Sequence, residues 1–285
     1  MDSRSADLPP LTVIRPAEGW TPVDFGELWR YRDLFVYLSW RNVAIRYKQT
    51  LFGILWALLQ PLVQSGIFAI FLGHFAKMPS DGQPYFLFAL CGMLPWSFFR
   101  ESVNTASVSM VASTDLVTKV YFPRIWIPAS AVMVGLVDFC VAMGGLLAVL
   151  VLYWYKGLFS WTLEPTILLV PLLLLIMLAL GLGLGMIFTA LNVRYRDVKY
   201  AVPFLLQCGL FATPVVYPAS IIEAPWRSLL GLNPMAGVVE TFRAIVLTEP
   251  APWDMLVSSG AAALLVLAIG LKVFRRMESH FADVI

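Results

Sequence analysis

The chain has 285 residues, of which 59% are hydrophobic and only 13% charged, with a formal net charge of +2. A soluble domain carries roughly 25% charged residues, so the composition excludes an ordinary soluble protein and points to a polytopic membrane protein. So small a net charge gives no reason to expect nucleic acid as a partner. Cys91, Cys140 and Cys208 each lie in an apolar run and form no CxxC pair, so they read as buried small hydrophobes and not as a disulfide framework or zinc site.

Residues 1–24 form a polar, proline-containing segment without the apolar core of a signal peptide, so the first membrane helix is expected to act as the targeting signal. Residues 25–50 place Leu28, Tyr31, Phe35 and Leu38 at helical spacing, with Arg30, Arg32, Asp33 and Arg41 on other faces. Trp29 and Trp40 favour the headgroup level, which predicts an amphipathic helix in the membrane interface. A span needs about 20 mostly apolar residues. Residues 52–75, 125–154, 166–191, 201–222 and 255–274 meet this, and 85–112 does so despite Pro95, Arg100 and Glu101. Residues 51–275 therefore read as a six-helix membrane domain, followed by a short tail, 276–285. The segment 223–254 is apolar but broken by Gly231, Asn233, Pro234 and Gly237, and predicts short helices dipping back from the outer face. Glu240 and Arg243 there, three residues apart, share a helix face and can pair.

Orientation follows from Lys and Arg. With the N-terminus inside, Arg4, Arg15, Arg30, Arg32, Arg41, Arg46 and Lys48 lie in the cytoplasm, followed by Lys119, Arg124, Arg194, Arg196, Lys199, Lys272, Arg275 and Arg276. Only Lys77, Lys156, Arg227 and Arg243 fall outside, so both termini are expected to be cytoplasmic.

No G-x-x-x-x-G-K-[ST] loop, HExxH or GxSxG occurs, so catalysis and ATP binding by this chain are not supported. The H-x-x-D of His280 and Asp283 is terminal and isolated, a weak basis for a membrane acyltransferase or glycosyltransferase. Arg100, Glu101, Asn104 and Asp138 lie within spans, where polar groups are costly. They read either as a hydrophilic pathway, which an ion-coupled transporter would use, or as a clamp joining the second and third spans, and the missing chain of carboxylates favours the clamp. The absence of an internal repeat also counts against an inverted-repeat transporter. Two stripes, Trp56, Gln60, Gln64 and Phe71 in the first span and Tyr200, Phe204, Gln207 and Phe211 in the fifth, combine aromatic faces with amides. That combination suits sugar rings, although helix packing or a subunit interface would also explain it. Prolines 61, 95, 171, 203 and 214 can kink spans, and GLGLG at 181–185 offers a small-residue face for close helix contact.

RYKQTLFGILWALLQPL (46–62), LVTKVYFPRIWIPAS (116–130), LNVRYRDV (191–198), ATPVVYP (212–218) and LNPM (232–235) resemble, in order, the motifs of ABC-2 type permeases that export polysaccharides such as O-antigen, capsule and teichoic acid. The resemblance covers about residues 25–280. It implies an all-α ABC-2 permease fold with an N-terminal interface helix and outer re-entrant helices, forming a homodimer in the bacterial inner membrane. It further implies two copies of a separate ATP-binding cassette subunit, which would hold the ATP and magnesium, while this chain binds no cofactor. The cargo it implies is a lipid-linked polysaccharide, foremost O-antigen, with capsule, teichoic acid, lipid or drug as alternatives. Its coupling contacts would be Asp115, Lys119 and Arg124 in a short helix within 112–124, and secondarily Arg194, Arg196 and Asp197; its sugar path would run near the two stripes.

Overall fold

The computed structural model describes residues 24–48, 50–159, 164–223, 230–278 and 281, and the elements among these are helical. Most of the N-terminal segment, Arg4 and Arg15, Arg227, and the His280 and Asp283 pair lie outside the described residues. The helices are α1 Phe25–Arg30, α2 Arg32–Tyr47, α3 Leu55–Phe68, α4 Tyr85–Ala112, α5 Thr114–Lys119, α6 Trp126–Tyr155, α7 Val170–Arg194, α8 Val198–Ala212, α9 Pro234–Leu247 and α10 Trp253–Glu278. A π-helical turn, Ala69–Phe75, extends α3, and a 3-10 turn, Pro165–Leu169, leads into α7.

The expected amphipathic helix over 25–50 forms as two pieces. Asp24 opens α1 by accepting hydrogen bonds from the backbone N–H groups of Gly26 and Glu27, which are orphaned at a helix start. Tyr31 then leaves helical geometry (φ −98°, ψ 18°) and re-aims the chain into α2. The amphipathic pattern holds across the break: Leu28, Tyr31 and Phe35 are partly buried and Leu38 fully so, whereas Trp29 and Trp40 are exposed. Helix α2 packs along α6.

Among the described residues, four helices are long and apolar enough to cross a membrane: Leu55–Phe75, Trp126–Tyr155, Pro165–Arg194 and Trp253–Glu278. Helix α4 has the length, 28 residues, and runs unbroken through Pro95, Arg100 and Glu101. The expected fifth span is shorter than its apolar run. Helix α8 ends at Ala212 after 15 residues, or about 22 Å, short of a roughly 30 Å hydrocarbon core. The chain then turns at Thr213 and Pro214, because proline disfavours a helical residue before it. The apolar stretch from 213 to 222 is consumed by that turn and by the 3-10 turn Ala219–Ile221.

Helix α4 is the axis of the bundle, packing against α6, α7, α9 and α3, while α10 lies along α7. Within lipid, helices gain little from hydrophobic burial and associate through close packing and polar contacts. GLGLG supplies that closeness on two faces. A Cβ at Gly181 would meet Ser102 on α4, and one at Gly183 would lie 2.8 Å from the Leu267 backbone on α10, opposite Gly270. Gly183→Ala is therefore expected to force α7 and α10 apart and lower the melting temperature of the purified chain by several degrees, whereas Gly144→Ala, which meets nothing, should leave it unchanged. Of the three cysteines expected to be buried, only Cys91 is; Cys140 and Cys208 are exposed. An apolar run places a residue in a span without fixing which way the helix turns it.

Candidate functional site

Helix α2 ends in Arg46 and Tyr47, which reach between α4 and α6. The Arg46 guanidinium pairs with Glu101 of α4 and, at 2.7 Å, with Asp138 of α6, and the Tyr47 hydroxyl donates to the same Asp138 carboxylate. Burial alone would lower the Arg46 pKa, but Glu101 and then Asp138 outweigh it and raise it. Burial and the bond to Asp138 push the Tyr47 hydroxyl well above its ordinary range, so it stays protonated and donates. Glu101 and Asp138 thus form a clamp between α4 and α6, but through a third partner on α2. Asn42 of α2 adds a hydrogen bond to Ser130 of α6 at 3.2 Å.

Arg100, next to Glu101, is outside this clamp. Among the described residues its guanidinium makes no ion pair or hydrogen bond, and it lines a cavity of about 590 Å³ between α3, α4 and α8. Gln64 of α3, Gln207 of α8, and Asn104 and Trp96 of α4 face the same space. The two amides come from different stripes and lie 143 positions apart in sequence, yet the fold brings them to one cavity. Trp96 was not singled out by the sequence, although Trp96, Arg100 and Asn104 fall at four-residue spacing on one face of α4. Amides, an unpaired guanidinium and an indole can together meet hydroxyls, oxyanions and the apolar faces of sugar rings.

The remaining stripe residues do not reach the cavity. Gln60 lines a narrow crevice beside Arg100 and Asp138. Trp56 and Phe71 on the first stripe, and Tyr200, Phe204 and Phe211 on the second, are exposed on the outside of the single chain. Phe52 packs edge-on against Trp56, and the Lys199 ammonium sits 4.8 Å over the Tyr200 ring.

At the Ala112 end of α4, the short helix α5 is the segment read as a coupling helix. Asp115 and Lys119 pair across one turn at 2.7 Å and remain exposed. Arg124 is instead half-buried, donating to the Glu278 backbone carbonyl at the end of α10, so it ties the loop to the bundle. Arg194, Arg196 and Asp197 are exposed at the turn between α7 and α8. Among the described residues no three His, Cys, Asp or Glu side chains gather as metal ligands.

The sequence pattern of the family described as "ABC-2 type transporter" matches residues 33–247. The chain belongs to the ABC-2 type transporter family. It is 31% identical over 260 residues to an O-antigen export system permease protein, RfbA, of Myxococcus xanthus, an alignment that covers 90% of this chain and 97% of the relative. It is 24% identical to the RfbA of Klebsiella pneumoniae, over 89% of this chain and 95% of that one. It is also 28% identical to the polysialic acid transport protein KpsM of Escherichia coli, over 84% of this chain and 91% of the relative.

Two of the motifs of this ABC-2 transporter meet in space. Asn233 of LNPM caps α9 by accepting from the Met235 N–H, and its own amide donates to Thr213 of ATPVVYP at 2.9 Å. Arg243 pairs with Glu240 at 2.8 Å, as their spacing predicts. It also donates to the Pro214 and Val215 carbonyls and lies 3.7 Å over the Phe88 ring. At 2% exposure it is an interior pin and not an outer-surface charge. Glu240 in turn accepts from the Ala219 N–H. Together these contacts fix the turn after α8 to α9, which is buried against α4 and α10.

Proposed function

We propose that this chain is the membrane-spanning subunit of an ATP-driven exporter that carries a lipid-linked polysaccharide, foremost O-antigen, across the inner membrane. The observation that carries the reading is the cavity of Gln64, Gln207, Asn104, Arg100 and Trp96, which offers sugar-binding chemistry within the bundle of a chain whose full-length relatives are named for O-antigen export. The match to polysialic acid transport proteins keeps a capsule glycan as the second reading.

In this reading α3, α4, α6, α7, α8 and α10 are six spans, with both termini cytoplasmic. Helix α8 is completed by the turn through Tyr217, and the 3-10 turn Ala219–Ile221 with α9 forms the re-entrant element, in which α9 is buried in protein while Ser220 and Ile221 stay exposed. Two such chains face each other through α3 and α8, so the exposed Trp56, Phe71, Tyr200, Phe204 and Phe211 look onto the path between subunits. Two ATP-binding cassette subunits dock on α5 through Asp115 and Lys119, and secondarily on Arg194, Arg196 and Asp197. Their closure on ATP is transmitted to the bundle from α5, which follows α4 after the single non-helical residue Ser113. This chain makes and breaks no bond.

The test is surface display of the glycan in a deletion strain complemented with this chain and its ATPase; normal display without the chain would falsify the reading. Trp56→Ala and Phe204→Ala are expected to reduce display several-fold by removing stacking surfaces worth about 1 kcal/mol each. Unchanged display in both would favour a lipid or drug cargo.

A further inference from the structure

A second cavity, of about 510 Å³, lies away from the polar cavity, between the interface helix α2 and the Ala112 and Trp126 ends of α4 and α6. Its walls are apolar, from Leu38, Ile45, Val108, Ile127 and Val134. Its polar lining includes Arg41, Asn42, Ser109 and Ser130. Two arginines and no carboxylate line it. Arg46 is neutralised by Glu101 and Asp138, but among the described residues Arg41 is not: its Nε is buried without an acceptor, and its one hydrogen bond there is a long 3.4 Å contact to the neighbouring Asn42. A buried guanidinium N–H left without an acceptor is costly, so the arrangement leaves room for an anion. Trp40, beside Arg41, is exposed, as is Trp29 on α1, and indoles settle at the headgroup level of a bilayer.

We propose that this cavity holds a resident anionic phospholipid, its phosphate on Arg41 and an acyl chain along the apolar walls. Under the orientation proposed above, on which this detail rests, the site faces the cytoplasmic leaflet, where anionic lipids concentrate. The lipid fills the wedge between α2 and the bundle and so holds the interface helix against α4 and α6. Its phosphate accounts for a cation that the described residues leave without an ion pair.

Native mass spectrometry of the full chain, extracted from vesicles of phosphatidylethanolamine and phosphatidylglycerol, tests this without any transport assay, so failure of the export reading would leave the result standing. The chain is expected to retain phosphatidylglycerol in preference to phosphatidylethanolamine. Arg41→Gln should lower that retention about tenfold, and Arg41→Lys should keep part of it. Val108→Trp, at a partly exposed position on the apolar wall, should exclude the lipid while tolerating the larger side chain, which covers the case where Arg41→Gln fails to fold. Arg32→Gln, on the exposed face of α2, should change nothing. Wild-type retention in Arg41→Gln or in Val108→Trp would overturn the proposal. So would displacement of phosphatidylglycerol by added polyprenyl diphosphate, which would make the cavity a carrier site instead.

Discussion

Arg46→Gln is expected to be among the most destabilising single substitutions in the chain, lowering stability by about 2–3 kcal/mol. The change leaves Glu101 and Asp138 facing each other inside the bundle with no cation between them. Removing one partner of a buried ion pair typically costs roughly 3–5 kcal/mol, because the remaining charge stays desolvated. The side chains here are 31%, 23% and 15% exposed, which brings the figure below that range. The measurement is thermal unfolding of the purified chain followed by size-exclusion chromatography. Adding Glu101→Gln and Asp138→Asn to Arg46→Gln should recover a large part of the loss, since the carboxylates are then neutral. A triple variant no more stable than Arg46→Gln would show that the clamp acts by packing and not by charge.

Arg100→Gln is expected to behave in the opposite way, leaving the melting temperature within a degree or two and reducing glycan export at least tenfold. The guanidinium has no partner among the described residues, so its removal breaks no contact within the protein. In the proposed reading α4 is a span, where a charge is expensive to keep, and that cost argues for a role of Arg100 toward the cargo. A tenfold loss corresponds to about 1.4 kcal/mol, a modest requirement for one charge-assisted hydrogen bond to a passing oxyanion. Arg100→Lys should retain intermediate export. Surface display alongside thermal unfolding reads both quantities, and a large drop in stability with export unchanged per folded molecule would assign Arg100 to structure.

The two arginines show how far the sequence could be read. Arg100 lies within an apolar run beside Glu101 and Arg46 just before one, and orientation counting treats Arg46 as one cytoplasmic charge among many. Its partners lie far along the chain: Glu101 is 55 positions away, and the adjacent Tyr47 meets Asp138 across 91. No periodicity within one helix reports a contact of that range. The Glu240–Arg243 pair was legible because both residues sit on one helix, where three-residue spacing alone brings side chains together. Even there, the burial of Arg243 and its bonds to the Pro214 and Val215 carbonyls were not, since they depend on how α9 packs under the turn after α8. The amphipathic stripe of the interface helix was legible for the same local reason, and its break at Tyr31 was not.

The membrane class, the positions of the long apolar helices, the polar residues within α4 and the small-residue face of α7 can all be read from the chain's order of residues. Each is a property of composition or of one helix's own period, and lipid imposes both directly. Which polar groups pair with one another is settled by the packing of the helices. It joined Arg46, Glu101 and Asp138 into a clamp, left Arg100 facing Gln64 and Gln207, and stopped α8 at Ala212 although the apolar run continues. Hydropathy measures how much a segment favours lipid and says nothing about where a helix ends or which neighbour it meets. Those choices were made by packing around α4, where close contact and charge pairing select one arrangement from the many that the apolar runs allow.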